Sequence, residues 1–259
     1  MTYQLHHGDC IGWLRGLPDK SADHTITDPP YEAEAHTKQR RTLAGQATAK
    51  RKVLRGVRPM ALDFPAITQA EREAVSREIV RVTRGWALVF CQTEGVTLWR
   101  DALVAAGGKY RRACVWIKPN AQPQMSGDRP AQGYEMLCLA WCGAGRSRWH
   151  GGGARGVFVH PMDSGYQTGK RAGHPTEKPV PLMSELVSLF TDPGDLVLDP
   201  YAGSGSTGVA CLGLGRRFAG AERDDRYHAL AKERLDAEAS GISLQASRAG
   251  QRSLFGGDK

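Results

Sequence analysis

A short segment, Thr27-Asp28-Pro29-Pro30-Tyr31, combines a carboxylate, two prolines and an aromatic ring. The prolines fix the backbone and remove two N–H donors, which leaves nearby carbonyl oxygens without a local partner. The carboxylate of Asp28 and the carbonyl of Pro29 could accept both hydrogens of an amino group on a planar base, and Tyr31 could stack on the face of that base. The alternative is a Pro-Pro turn in which Asp28 only caps a helix.

A second segment with chemical potential is Asp199-Pro-Tyr-Ala-Gly-Ser-Gly-Ser-Thr207, which follows a short apolar strand pattern. Gly203, Gly205 and Gly208 form the pattern G-x-G-x-x-G, and the acidic Glu222 comes nineteen residues after Gly203. A strand, a glycine-rich turn and a helix in this order place backbone N–H groups beside a bound nucleotide. The pattern alone fits NAD, FAD and S-adenosylmethionine equally.

Together with His174-Pro-Thr-Glu-Lys-Pro179, these two segments resemble the motifs of the amino-methylating DNA methyltransferases. The Asp28 segment resembles their catalytic motif, and the Asp199 segment resembles their S-adenosylmethionine motif. The catalytic motif comes first, which is the circularly permuted order of the group called β. The resemblance covers roughly residues 3–236. It implies an enzyme that flips a base out of duplex DNA and methylates it with S-adenosylmethionine.

The resemblance also implies roles for individual residues. Asp9 would accept a hydrogen bond from the adenine of the cofactor, with helix capping as the alternative. Glu222 would bind the ribose hydroxyls, and Asp199 would bind the methionine ammonium group. Lys178 would lie near the carboxylate of the cofactor, with a surface lysine beside Glu177 as the alternative. The expected cofactor-binding residues are Asp9, Cys10, Asp28, Lys178, Asp199, Tyr201, Gly203, Ser204, Gly205, Ser206, Thr207 and Glu222, and the expected catalytic residues are Asp28, Pro29, Pro30 and Tyr31.

The identity of the target and the class of enzyme have alternatives. Asp28 favours the N6 amino group of adenine, because relatives that methylate cytosine N4 more often carry serine at this position. Cytosine N4 is the near alternative. A nicotinamide oxidoreductase would explain the glycine pattern and Glu222, but it needs two βαβ halves around the turn and leaves Asp-Pro-Pro-Tyr without a role. A non-catalytic DNA-binding module would explain only the net charge of +8.

The elements that position these segments form an alternating pattern. Expected strands cover 3–7, 23–27, 86–91, 110–117, 135–142, 196–198 and 217–222, and helices alternate with them. This pattern predicts an α/β, Rossmann-like S-adenosylmethionine-dependent methyltransferase fold, with a mainly parallel seven-stranded sheet between helices. At 259 residues the chain can bury a full core.

The composition predicts where the protein works. Six cysteines without a C-x-x-C pattern favour reduced thiols, with no metal, in a cytoplasmic protein. The absence of an apolar run of about 18 residues predicts no membrane span.

We expect one methyltransferase domain over residues 1–239, with DNA-contacting insertions at about 32–64 and 119–173, and a disordered tail over 240–259. Both insertions are basic and poorly periodic, which suits contact with the phosphates of double-stranded DNA. The expected DNA-binding residues are Lys38, Arg40, Arg41, Lys50, Arg51, Lys52, Arg129, Arg155, Lys170 and Arg171.

Two partner proteins are also expected. The family resemblance implies a homodimer. In the tail, Gln251, Leu254 and Phe255 form a pattern that resembles the short peptides that bind the bacterial sliding clamp. The alternative is that Leu254 and Phe255 fold back onto the enzyme or its dimer partner.

Overall fold

The structure, a computed structural model, describes residues 3–31, 66–121, 129–162 and 177–242 together with positions 123, 127 and 244. The strands in these ranges are β1 (Tyr3–His7), β2 (His24–Thr27), β3 (Trp86–Cys91), β4 (Lys109–Ile117), β5 (Tyr134–Trp141), β6 (Val157–Val159), β7 (Leu196–Asp199) and β8 (Arg217–Glu222). The helices are α1 (Cys10–Arg15), α2 (Gln69–Val82), α3 (Gly95–Ala105), α4 (Val180–Phe190), α5 (Ser206–Gly213) and α6 (Asp225–Ala239).

The eight strands of the described residues form one sheet in the order β1-β8-β7-β2-β3-β5-β4-β6. β5 pairs antiparallel with β3 and β4, and the other neighbouring strands pair in parallel. The predicted α/β fold with a mainly parallel sheet is confirmed. The additional strand, β6, lies in a segment that we expected to be irregular. It forms because its three residues pair with the end of β4 and bury Phe158.

Helices cover both faces of the sheet. All six residues of β3 are buried, and successive side chains of a strand point to opposite faces. Leu88 and Phe90 therefore pack in one core with residues of α4 and α5, whereas Val89 packs in a second core with residues of α2 and α3. This arrangement fixes β2 and β7 side by side at the centre of the molecule.

All six cysteines are buried and free, and all except Cys10 belong to these two cores. No helix within the described ranges is long and apolar enough to cross a membrane. The division into domain, insertions and tail stays a prediction, because residues 32–65, 163–176 and most of the tail lie outside the described residues.

Candidate active site

The ends of β2 and β7 bring the two sequence segments together. These strands are parallel neighbours, so their carboxyl ends meet at the same edge of the sheet. The hydroxyl of Thr27 donates a hydrogen bond of 2.7 Å to Asp199 Oδ1, across 172 positions of the sequence. Asp28 and the prolines that follow it therefore lie beside the glycine-rich turn that follows Asp199.

The two carboxylate oxygens of Asp28 have different surroundings. Oδ2 accepts a hydrogen bond from the ammonium group of Lys178. Oδ1 is buried and has no hydrogen-bond partner among the described residues, although 23% of the side chain as a whole is exposed. Burial raises the pKa of Asp28, and the nearby charge of Lys178 opposes this rise. One oxygen thus has a fixed partner, while the other can accept a hydrogen bond from a bound molecule.

Lys178 immediately precedes the start of α4 and is only 8% exposed. Its ammonium group contacts Asp28, lies 3.1 Å from Glu135 Oε2, and sits 5.0 Å from the centre of the Phe90 ring. Burial acts to lower the pKa of Lys178, but the two carboxylates outweigh burial and raise it. The alternative of a surface lysine is wrong. The expected contact with the carboxylate of the cofactor stays a prediction.

Glu135, the second residue of β5, binds the hydroxyl group of Tyr31. The hydroxyl of Tyr31 donates a hydrogen bond of 2.7 Å to Glu135 Oε2, and the ammonium group of Lys118 binds Oε1. Burial acts to raise the pKa of Glu135, but Lys178 and Lys118 outweigh it and lower this pKa to about 2. Sequence reasoning missed Glu135 and Lys118. The available signal was a single carboxylate in a strand that otherwise reads as apolar.

Contacts within the protein hold the carboxylate of Asp199. It is 2% exposed, and its carboxylate accepts hydrogen bonds from Thr27 Oγ1, from the backbone N–H of Tyr201 at 3.1 Å, and from Thr207 Oγ1 at 2.6 Å. Burial raises the pKa of Asp199 to about 6, and these donors limit the rise. The carboxylate therefore joins the end of β2 to the first turn of α5. Its expected contact with the methionine ammonium group stays a prediction.

The glycine-rich turn has a backbone that requires glycine at two positions. Gly203 has φ of +52° and Gly205 has φ of +81°, in the left-handed region that other residues rarely adopt. Glu222, at the end of β8, accepts hydrogen bonds from the backbone N–H groups of Gly203 at 2.9 Å and Asp224 at 2.8 Å. A carboxylate at this edge, next to a turn of small residues, fits the hydroxyl groups of a ribose.

Arg234 of α6 stabilises the glycine-rich turn by hydrogen bonds. Its guanidinium Nη1 donates to the carbonyl and the hydroxyl of Ser204, both at 2.9 Å, and lies 3.3 Å from Ser206 Oγ. It also forms an ion pair of 2.7 Å with Glu177, the neighbour of Lys178. The two serines that we expected to bind the cofactor therefore face α6 with their side chains. Sequence reasoning missed Arg234, which lies next to a buried leucine in the last helix.

Comparison with known proteins shows similarity along most of the chain. A family model described as DNA methylase of the N6/N4 type matches residues 155–233. The putative methylase YubD of Escherichia coli (strain K12) is 29% identical over 236 residues, which cover 89% of this chain and 88% of that protein. The type II methyltransferase M.HinfI of Haemophilus influenzae is 26% identical over 247 residues, covering 88% and 67% of the two chains.

The crystal structure of an M1.HpyAVI-SAM complex superimposes with a TM-score of 0.64 at 25% identity, and covers 90% of this chain and 99% of that chain. These similarities support an amino-methylating DNA methyltransferase. The cofactor of this methyltransferase is S-adenosylmethionine. The cytosine-N4-specific PvuII DNA methyltransferase, which is 16% identical with a TM-score of 0.65, shares the fold.

A further group of side chains, near the end of β1, consists of Asp9, Cys10 and Tyr201. Asp9 Oδ2 accepts a hydrogen bond of 2.7 Å from the backbone N–H of Gly12 and caps α1, which is the alternative given above. Burial raises the pKa of Cys10 to about 11, and a hydrogen bond with Tyr201 opposes this rise. Since the N–H of Gly8 donates to the carbonyl of Glu222, this group adjoins Glu222. The contact of Asp9 with adenine stays a prediction.

The expected DNA-binding residues divide into two groups. Arg129 and Arg155 are exposed, as contact with phosphate requires. The others lie outside the described residues, and so do the clamp-binding residues of the tail: Lys38, Arg40, Arg41, Lys50, Arg51, Lys52, Lys170, Arg171, Gln251, Leu254 and Phe255.

Proposed function

We propose that this DNA methyltransferase acts on the N6 amino group of adenine in duplex DNA. The observation that carries the proposal is the buried Oδ1 atom of Asp28, which has no partner among the described residues. A buried carboxylate oxygen without a donor is costly, and an amino group of a bound base would satisfy it. The carbonyl of Pro29 is the second proposed acceptor. Two acceptors beside the aromatic ring of Tyr31 match a flipped base that carries an amino group.

The proposed chemistry depends on alignment and hydrogen bonding. The lone pair of an aromatic amino group is conjugated into the ring, which makes the nitrogen a poor nucleophile. When Asp28 and Pro29 accept its two N–H bonds, the nitrogen can become pyramidal and direct its lone pair away from the ring. Bound S-adenosylmethionine supplies an electrophilic methyl group. Tyr31 holds the base by stacking, and alignment of the reacting atoms supplies much of the rate.

Asp28 need not remove a proton before the attack. The product of transfer is an ammonium group attached to an aromatic ring, which is strongly acidic and loses its proton readily. A negative charge next to that nitrogen stabilises the positive charge as it forms. The proposed role of Asp28 is therefore to accept a hydrogen bond and to supply negative charge, with proton transfer following the formation of the C–N bond.

The choice of adenine over cytosine rests on the residue type at position 28. A carboxylate supports a developing ammonium charge more strongly than the serine that is more common in relatives that methylate cytosine. Structural likeness does not separate the two targets, because a cytosine-N4-specific enzyme shares the fold. Analysis of the methylated nucleoside separates them directly.

The test is to incubate the protein with unmethylated genomic DNA and S-adenosylmethionine carrying a labelled methyl group. The DNA is then digested, and the nucleosides are separated by liquid chromatography and mass spectrometry. We expect labelled N6-methyldeoxyadenosine. Labelled N4-methyldeoxycytidine would show that the target is cytosine instead of adenine. The absence of any labelled nucleoside would contradict DNA methylation.

The matched control is Asp28→Ala. We expect this variant to bind S-adenosylmethionine and to lose methyl transfer in single-turnover experiments. A rate within about tenfold of wild type, or ~1.4 kcal/mol in the barrier, would remove Asp28 from the mechanism.

A further inference from the structure

Four charged side chains form a continuous, largely buried cluster behind the proposed base-binding position. They are two carboxylates and two ammonium groups, and their contacts run from Asp28 to Lys178, from Lys178 to Glu135, and from Glu135 to Lys118. The exposed fractions of the last three side chains are 8%, 14% and 12%, so water screens these charges little. With all four ionised, the formal charge of the cluster is zero.

The members of this cluster come from different secondary-structure elements. Asp28 follows β2, Lys118 follows β4, Glu135 belongs to β5, and Lys178 precedes α4. Two more titratable groups approach from neighbouring strand ends. The electrostatic interaction with Cys91 of β3 raises the pKa of Tyr31. The charge of Asp28 raises the pKa of Asp199 of β7.

Methyl transfer moves a unit positive charge onto the nitrogen next to this cluster. The C–N bond forms as the bond between the methyl carbon and the sulfonium sulfur breaks, so the sulfur becomes neutral while the amino group becomes an ammonium group. A change of one unit of charge in a poorly solvated place interacts strongly with fixed charges a few ångströms away. Lys178 is such a charge, and it contacts the carboxylate proposed to stabilise the ammonium group. Without compensation, the positive charge of Lys178 would weaken the effect of Asp28 on the reacting nitrogen.

We propose that Glu135 is a positioning residue for methyl transfer, which offsets the charge of Lys178 and leaves the carboxylate of Asp28 available to the developing positive charge. Lys118 pairs with the other carboxylate oxygen of Glu135, partly neutralises its charge and so limits this effect. The inference rests on the function proposed above. Glu135 also accepts the hydrogen bond of Tyr31, so a single residue sets both the charge at Asp28 and the position of the stacking ring.

The experiment compares Glu135→Gln, Lys118→Met and the double variant with wild type. Glutamine keeps the shape of glutamate and an oxygen that can accept the Tyr31 hydrogen bond, but it removes the charge. Methionine keeps the length and apolar stem of Lys118 while removing its charge. The formal charges of the cluster become +1 in Glu135→Gln, −1 in Lys118→Met and zero in the double variant. Single-turnover methyl transfer is measured as a function of pH for each protein.

We expect Glu135→Gln to lower the plateau rate by about 10- to 100-fold, because the excess positive charge opposes formation of the ammonium group. Its acidic limb should move to lower pH, because loss of the negative charge of Glu135 lowers the pKa of Asp28. Because Lys118 partly neutralises Glu135, Lys118→Met should raise the plateau by up to about threefold, and its acidic limb should move to higher pH. The plateau rate of the double variant should be at least about tenfold higher than that of Glu135→Gln.

Structural damage would not shift the acidic limb in opposite directions in the two single variants. A shift in the same direction in both, or a double variant no faster than Glu135→Gln, would overturn the proposal. Thermal unfolding and titration with S-adenosylmethionine establish that each variant is folded. If Glu135→Gln does not fold, the direction of the Lys118→Met shift decides alone.

The outcome is separable from that of the proposed function. An active wild type with an inactive Asp28→Ala variant supports the proposed function whatever the charge variants do. Failure of the charge variants in that setting counts against the role of Glu135 alone.

Discussion

Thr27, the last residue of β2, donates a hydrogen bond of 2.7 Å to Asp199, the last residue of β7. The other oxygen of Asp199 accepts from Thr207 in the first turn of α5. One buried carboxylate therefore joins the strand that precedes Asp28, the strand that precedes the glycine-rich turn, and the helix that follows this turn. The relative position of Asp28 and the glycine-rich turn depends on this junction.

Asp199→Asn should change the dependence of stability on pH. The pKa of Asp199 rises from 3.8 to about 6 on folding because the carboxylate is buried. The folded state binds this proton more tightly, so its stabilising contribution is complete below about pH 4 and is lost as the pH rises through about 6. Asparagine does not titrate, and the hydroxyl of Thr207 can turn to accept from its amide. Between about pH 4 and pH 7, the free energy of unfolding of the variant should gain roughly 3 kcal/mol relative to wild type. Urea denaturation across this range is the measurement, and a difference that is independent of pH would contradict the prediction.

Gly208→Ala and Gly213→Ala compare two glycines of α5. A Cβ at position 208 would lie 2.5 Å from Leu235 Cδ2 and 2.8 Å from the Phe218 ring, both in the core. A Cβ at position 213 would lie 2.9 Å from the carboxylate oxygen of Glu238, the movable end of a side chain. We expect Gly208→Ala to lower the free energy of unfolding by about 1–3 kcal/mol through overpacking, and Gly213→Ala to change it by less than about 0.5 kcal/mol. Denaturant titrations that give equal values would show that α5 can shift away from its neighbours.

Tyr31→Phe and Tyr31→Ala separate the hydroxyl group from the ring. Phenylalanine loses the hydrogen bond to Glu135 but keeps the stacking surface. Alanine loses both, and stacking of one base on an aromatic ring contributes ~1–3 kcal/mol. We expect Tyr31→Ala to weaken the binding of DNA that contains the recognised site by ~1–3 kcal/mol. Binding is measured with S-adenosylhomocysteine present. Tyr31→Phe should weaken it by less than about threefold. An equal loss in both variants would assign the effect to the hydroxyl group.

Arg234→Met should weaken binding of the cofactor although Arg234 lies behind the turn. The substitution removes the donor to the carbonyl of Ser204 and the partner of Glu177, so the turn loses its support. We expect the Kd for S-adenosylmethionine to rise about tenfold in isothermal titration, or ~1.4 kcal/mol. Lys232→Met on the exposed side of the same helix, which removes an ion pair of 2.6 Å with Asp236, is the control and should leave the Kd unchanged. A similar Kd for all three proteins would show that the turn holds its shape without Arg234.

Periodicity in the sequence was sufficient for most of the sheet. The expected strands at 3–7, 86–91 and 217–222 have the same bounds in the structure, and each is followed by a glycine or a polar residue. β6 could not be predicted, because three residues carry too little pattern and depend on the edge of β4 for their hydrogen bonds.

The candidate site was predictable only where local sequence determines position. Glu177 and Lys178 are adjacent, yet Glu177 pairs with Arg234 behind the cofactor turn and Lys178 pairs with Asp28 in front of it. Neighbouring residues with opposite charge give no local sign of this division. Glu135 is similar, because its partners come from distant segments and only the assembled sheet brings them together.

The central position of β2 has a consequence for how the molecule assembles during synthesis. One neighbour of β2 is β3, which follows soon in the sequence, but the other is β7, and their paired residues are as far apart as His24 and Val197. A growing chain that has emerged from the ribosome as far as β6 therefore contains the catalytic segment but leaves one edge of β2 open. Such distant pairing slows folding, and an open strand edge invites association with other chains. The glycine-rich turn and the buried carboxylate of Asp199 are therefore added late, together with the strand that covers this edge of β2.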